Sequence, residues 1–152
     1  MSELQKINLI LHVLLGVLAV AATYAVWIGL LRREPAWSRL RWWSLVGFTT
    51  IVLSWLTGGH YYVTYYGAKV KPVITASAYA WAHTVMTEAK EHVFLFLPFL
   101  TLVIMLSVWL VSAQVTSSSG LKRSLVWLAG VTTVLGIIIT LSGVLISGAV
   151  RK

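Results

Sequence analysis

The sequence predicts an all-α integral membrane protein, a four-helix bundle in which residues 1–152 form one domain. Three observations predict it. Hydrophobic residues make up 59% of the chain and charged residues 11%, whereas soluble globular domains carry about 25% charged residues. Four apolar runs, residues 7–31, 42–66, 93–113 and 125–150, each reach the roughly 20 residues that cross about 30 Å of hydrocarbon. Finally, the basic residues gather at the ends of those runs rather than in patches along them.

The first run follows a segment whose one basic residue is Lys6. It is long enough to span, so it reads as a membrane helix and not as a cleaved leader. It ends where Arg32-Arg33-Glu34-Pro35 makes a polar, proline-marked break. The loop that follows carries Arg32, Arg33, Arg39 and Arg41 against the single Glu34. The positive-inside rule puts this loop in the cytoplasm, with both termini on the non-cytoplasmic side of a plasma or inner membrane. Lys122 and Arg123 in the third loop agree, while Lys6, Lys69, Lys71, Arg151 and Lys152 on the other side blunt the bias. Trp37, Trp42 and Trp43 mark one interface of the second run, and Tyr61, Tyr62, Tyr65 and Tyr66 mark the other. The net charge of +8 is thus a matter of topology and lipid headgroups, and no nucleic-acid partner is expected.

The third run is the unusual one. Helical sequence extends back from residue 93 to about Val73, just after Pro72. A continuous helix from there would be about 60 Å long at 1.5 Å per residue, twice what a bilayer needs. Its first turns are expected either to project from the membrane or to form a tilted or separate interfacial segment. Pro98 is expected to kink it by freeing the carbonyl of Phe94. Small residues line up at helical spacing in the first run (His12, Gly16, Ala19, Thr23) and in the fourth (Gly136, Thr140, Gly143, Ser147). Such seams promote close helix packing, and the one beside His12 also leaves room for a flat cofactor.

The candidate chemistry lies at the start of the third run. Trp81–Leu95 holds two of the four histidines, His83 and His92, and two of the four carboxylates, Glu88 and Glu91. Ionisable groups at the mouth of a membrane helix are expensive and usually functional. With antiparallel helices, His12 and His60 fall in the same outer half. Glu88 and His92, four residues apart, share a helix face, and His83 points elsewhere.

Three readings follow. In the first, His12, His60, His83 and His92 bind haem b, with His92 paired to His12 or His60. A non-covalent haem needs no cysteine, and the chain has none. In the second, His12, His60, Glu88 and His92 hold Cu, Fe or Zn, which accept mixed imidazole and carboxylate ligands. Two carboxylates and no Glu-x-x-His pair argue against a di-iron centre. In both, the protein is a redox, electron-transfer subunit working with a quinone or an external redox protein, as a homo-oligomer or part of a complex. In the third reading nothing is bound. Glu88, Lys90 and His92 then serve a proton or ion relay, or the chain is a structural subunit of a larger complex. Hydrolytic chemistry has few candidate groups, because the chain has no aspartate and no phosphate loop or nucleophile elbow.

Overall fold

The computed structural model describes residues 1–149, apart from the side chains of Glu91 and Ala149. Arg151 and Lys152 lie outside the described residues, as does the side chain of Glu91. Every regular element among the described residues is helical.

Helix α1 (Glu3–Leu31) starts at a capping box: Ser2 Oγ accepts from the Gln5 amide, and Gln5 Oε1 accepts from the Ser2 amide at 2.8 Å. That satisfies two of the donors a helix start leaves open. It stops at Arg32, whose extended backbone leads towards Pro35. Helix α2 (Trp37–Tyr61) passes without interruption into a π-helical stretch, Tyr62–Val70, and then into the short α3 (Lys71–Thr75).

A continuous helix from Val73 into the third apolar run does not form. Residues 76–80 turn instead, and helix resumes from Trp81 into a second π-helical stretch, Ala82–Thr87, leading into α4 (Glu88–Leu110). Ser77 supplies the reason. Its hydroxyl donates to the Ile74 carbonyl at 2.8 Å and accepts from the Tyr79 amide at 3.1 Å, a local bonding pattern that competes with the helix ladder. Pro98 sits inside α4 as expected. The chain breaks again at Val111, forms α5 (Ser112–Ser117), and ends in α6 (Ser119–Ala149).

Three helical segments are long and apolar enough to cross a membrane: Glu3–Leu31, Ala82–Leu110 and Ser119–Gly148, with mean hydropathies of 2.3, 2.6 and 2.2 over an 18-residue stretch of each. The second apolar run, expected as a fourth, does not join them. Its helix is long enough at 25 residues, but serine, threonine, glycine, arginine and histidine dilute its hydropathy. Much of that polarity is turned inward: Ser44, Thr50 and Ser54 are buried, and each hydroxyl donates to a backbone carbonyl. The exterior is the apolar side, with Leu14, Phe96 and Leu141 all more than half exposed.

Helix α1 packs on α2 and α6, and α4 packs on the same two. At the end next to the loop after α1 this closes tightly: Val26, Leu30, Leu40, Ile104, Val108 and Leu125 form a buried cluster. A second cluster (Ala19, Ile51, Leu97, Ile139) fills the middle. Towards the opposite end, apolar packing shifts to the π-helical stretches, around Tyr66, Val70, Ile74 and Ala82. The space between the helices widens there, and the site lies in it.

Candidate functional site

His12 is the centre of this region. Its Nδ1 lies 2.9 Å from the Ser54 carbonyl and 3.1 Å from Ser54 Oγ. A carbonyl only accepts, so Nδ1 carries the proton and Nε2 keeps its lone pair. Ser54 Oγ–H in turn donates to the His12 carbonyl at 2.9 Å, locking α1 to α2 at this level. Phe94 of α4 meets the ring edge-on, with centroids 5.9 Å apart. Gly58 backs the ring so closely that a Cβ there would collide with its Nδ1 edge.

His12 lines two cavities, of about 380 Å³ and about 440 Å³. They share Leu9, His12, Lys90, Phe94, Gly143 and Ser147, so they are two chambers meeting at a neck. Lys90 and Phe94, one helical turn apart on α4, both face this neck. A Cβ on Gly143 would stand 3.3 Å from Lys90 Nζ, so the small residue of α6 makes way for the ammonium. The outer chamber reaches Tyr66 and Thr87; the deeper one runs towards Gly136 and Ile139. Exposed apolar residues such as Trp55, Val63 and Leu95 line the rim, where the outer chamber opens to the outside of the bundle.

The other histidines are placed apart from His12. His92 and Glu88 share a face of α4, as expected, and both side chains are exposed. Lys90 points into the neck, so His92, two residues or about 200° further round the helix, faces away from it. His92 Nδ1 donates to the Glu88 carbonyl at 2.7 Å, leaving Nε2 with its lone pair, as in His12. His60 is exposed, and its Nδ1 accepts from the Asn8 amide at 2.7 Å, which puts its proton on Nε2. Of the residues expected to pair, neither His92 nor His60 lines the cavities around His12. Among the described residues, no three histidine or carboxylate side chains gather as a metal-binding group.

His83 is 2% exposed and belongs to a separate polar cluster between the two π-helical stretches. Its Nδ1 lies 3.1 Å from Tyr66 Oη, which lies 3.0 Å from Thr87 Oγ1. Thr87 Oγ1 donates to the Ala82 carbonyl. These contacts hold together when His83 Nδ1–H donates to Tyr66 and Tyr66 donates to Thr87. His83 Nε2 is then a buried acceptor without a partner among the described residues. Replacing Tyr66 with phenylalanine strands His83 Nδ1–H inside the protein and removes the donor to Thr87. We expect a loss of about 1–3 kcal/mol of stability, read as a lower midpoint for thermal unfolding in detergent. Thr87→Val removes the end of the chain and is expected to cost less.

The sequence reading singled out the histidines. It did not pick out Ser54 or Phe94, which orient His12, and it placed Lys90 with Glu88 and His92 rather than with His12. The Lys90–Phe94 spacing was the available signal, because one helical turn puts both residues on the same side of α4.

No protein-family model, curated protein or solved structure matches the chain.

Proposed function

We propose that the chain is a four-span membrane electron-transfer protein, with α2 as the fourth span, that binds a quinol ring at the neck between His12 and Lys90. The observation that carries this is the pairing of one acceptor with one donor in an apolar chamber open to the hydrocarbon. His12 Nε2 accepts a quinol hydroxyl, and the Lys90 ammonium donates to a ring oxygen. Ligand sites of about 300–1,000 Å³ with an apolar lining and a few convergent polar groups are the common form of small-molecule pockets. A quinol releases two protons and two electrons on oxidation. His12, with its bare nitrogen, takes one proton as a general base, the second proton is released to water, and both electrons pass to a docked redox protein. The arginine-rich first loop supports a cytoplasmic position for that side, which would put the His12 chamber in the outer leaflet of a plasma or inner membrane.

A second reading, haem b in place of the quinol, is favoured by one specific feature. The Nδ1–H to backbone carbonyl bond that fixes His12 is the bond that orients metal-ligating histidines and leaves Nε2 for the iron. His92 has the same arrangement, and Lys90 would then meet a propionate. Cu, Fe or Zn at His12, His60, Glu88 and His92 draws less support, since those groups do not converge.

The test is a reduced-minus-oxidised visible spectrum of protein purified in mild detergent, with solvent extraction and metal analysis of the same sample. Co-purified quinone without a Soret band supports the quinol reading. A Soret band with α and β bands replaces it with haem b. A colourless sample free of quinone and metal overturns both and leaves a relay or structural role.

A further inference from the structure

We infer that the closed end of the bundle binds the headgroup of an anionic phospholipid, held by Arg41 and Lys122 with Arg32 and Arg33 beside them. This holds whatever the His12 cavity binds.

Six cations, Arg32, Arg33, Arg39, Arg41, Lys122 and Arg123, fall at this end against one carboxylate, Glu34. Charges at helix ends serve topology wherever they lie along a loop, and topology does not require them to converge. Here they converge. Lys122, in the first turn of α6, reaches across to the end of α1. Its ammonium donates to the carbonyls of Arg32 at 2.7 Å and Arg33 at 3.4 Å. Part of this is a cap, since a cation suits the carbonyl end of a helix. The same contact sets Lys122 beside two exposed arginines, so like charges gather. Glu34 forms no ion pair with them among the described residues, where the ion pair is Lys6 with Glu3 near the far end of α1.

Arg41 adds a second feature at this end. Leu30, Leu40, Val115 and Leu125 share the buried cluster there, which brings α2, α5 and α6 to the end of α1. Helix α4 breaks at Val111, and Ser112 begins α5 with its Oγ 3.1 Å from Arg41 Nη2. That is the bond the guanidinium makes among the described residues, and its Nε is buried without a partner. A cation with five N–H donors is thus held half-buried and met by one neutral hydroxyl. Its charge is left to be compensated from outside the chain.

The depth is that of lipid phosphates. Trp42, Trp43 and Trp109 are exposed around Arg41, and Trp109 Nε1 donates to the Arg41 carbonyl at 3.2 Å. Exposed tryptophans mark the headgroup level of a bilayer. Guanidinium and ammonium groups at that level bind phosphate. Cations flanked by this belt suit a phosphodiester with acyl chains attached better than a soluble polyanion.

The test uses the full chain, delipidated in mild detergent and titrated with dioleoylphosphatidylglycerol or dioleoylphosphatidylcholine. Native mass spectrometry counts the bound lipid. The first phosphatidylglycerol is expected to bind about tenfold more tightly than phosphatidylcholine. Arg41→Gln combined with Lys122→Gln should abolish that preference. Lys69→Gln combined with Lys71→Gln, at the opposite end beside Val70, should keep it. Equal loss in both double variants would show diffuse charge attraction and overturn the site, as would a wild type without the preference. Displacement of the lipid by millimolar inorganic phosphate would mean a soluble-anion site and overturn the lipid. A second arm needs no substitution: the wild type is irradiated with phosphatidylglycerol carrying a diazirine near its headgroup. Adducts on Trp109, Ser112 or Lys122 are expected, and adducts spread evenly over both ends of the bundle would overturn the proposal.

Discussion

His12→Ala is expected to abolish most quinol oxidation while the helices remain assembled. The imidazole is the one histidine on the wall of the cavity, and it holds an acceptor nitrogen there because Ser54 occupies the other. Without it, a quinol hydroxyl entering the chamber meets no base. Binding weakens by about tenfold to a hundredfold, as for a hydrogen-bonding group left unsatisfied. Electron delivery falls further, by about 10²–10⁴, as for a lost general base. The fold tolerates the change, because Ser54 Oγ still donates to the backbone carbonyl at position 12. His92→Ala provides the contrast. That side chain is exposed on the far side of α4, so quinol binding and turnover should match the wild type. Stopped-flow oxidation of a quinol with a soluble one-electron acceptor such as ferricyanide, compared with and without each variant and alongside circular dichroism, decides it. If His92→Ala loses as much as His12→Ala, the two histidines work together, as axial haem ligands do, and the neck is not a quinol site.

How far the sequence exposed this site can be followed residue by residue. The apolar exterior was legible, because bilayer thickness sets a length that composition alone reveals. Helix α2 was harder, since averaging along the chain cannot tell a buried, satisfied serine such as Ser54 from an exposed one. The break before Ala82 turns on one hydroxyl, Ser77, bonding to its own neighbourhood, and helical periodicity gives no warning of that. The faces of α4 were legible within the helix, and Glu88 and His92 do lie together. What no single helix encodes is the register between helices. That register sets Lys90 beside Gly143 and Asn8 against His60, and it turns His83 towards Tyr66. The two π-helical stretches add to this difficulty. They wind more widely than the 3.6-residue period, so a side chain's direction past Tyr62 cannot be counted from α2. Wide turns of this kind gather at functional sites, and here they carry Tyr66 and Thr87 to the outer chamber.

Gly58→Ala, paired with Gly59→Ala, carries the second large expected effect and tests whether the position of His12, beyond its presence, makes the site. The two glycines are adjacent in α2, and alanine is the better helix former at both by about 1 kcal/mol. On propensity alone, both variants should be stabilised. Their surroundings differ. A Cβ on Gly59 meets nothing within 4 Å, whereas a Cβ on Gly58 would overlap the Nδ1 edge of His12. The ring has little freedom to retreat. Phe94 stands against it edge-on, and the bond to Ser54 fixes its plane. Gly58→Ala must therefore either swing the imidazole out of the neck or push α1 away from α2. We expect a net loss of about 1–3 kcal/mol, as for other overpacked sites. Quinol binding should weaken by about tenfold or more as Nδ1 leaves the Ser54 carbonyl. Gly59→Ala should be as stable as the wild type or slightly more so, with binding intact. Thermal unfolding and quenching of tryptophan fluorescence by quinone, measured on both variants in the same nanodiscs, provide the comparison. Equal behaviour of the pair would show that His12 is not wedged against Gly58, and that the close packing of its ring does not set its position in the neck.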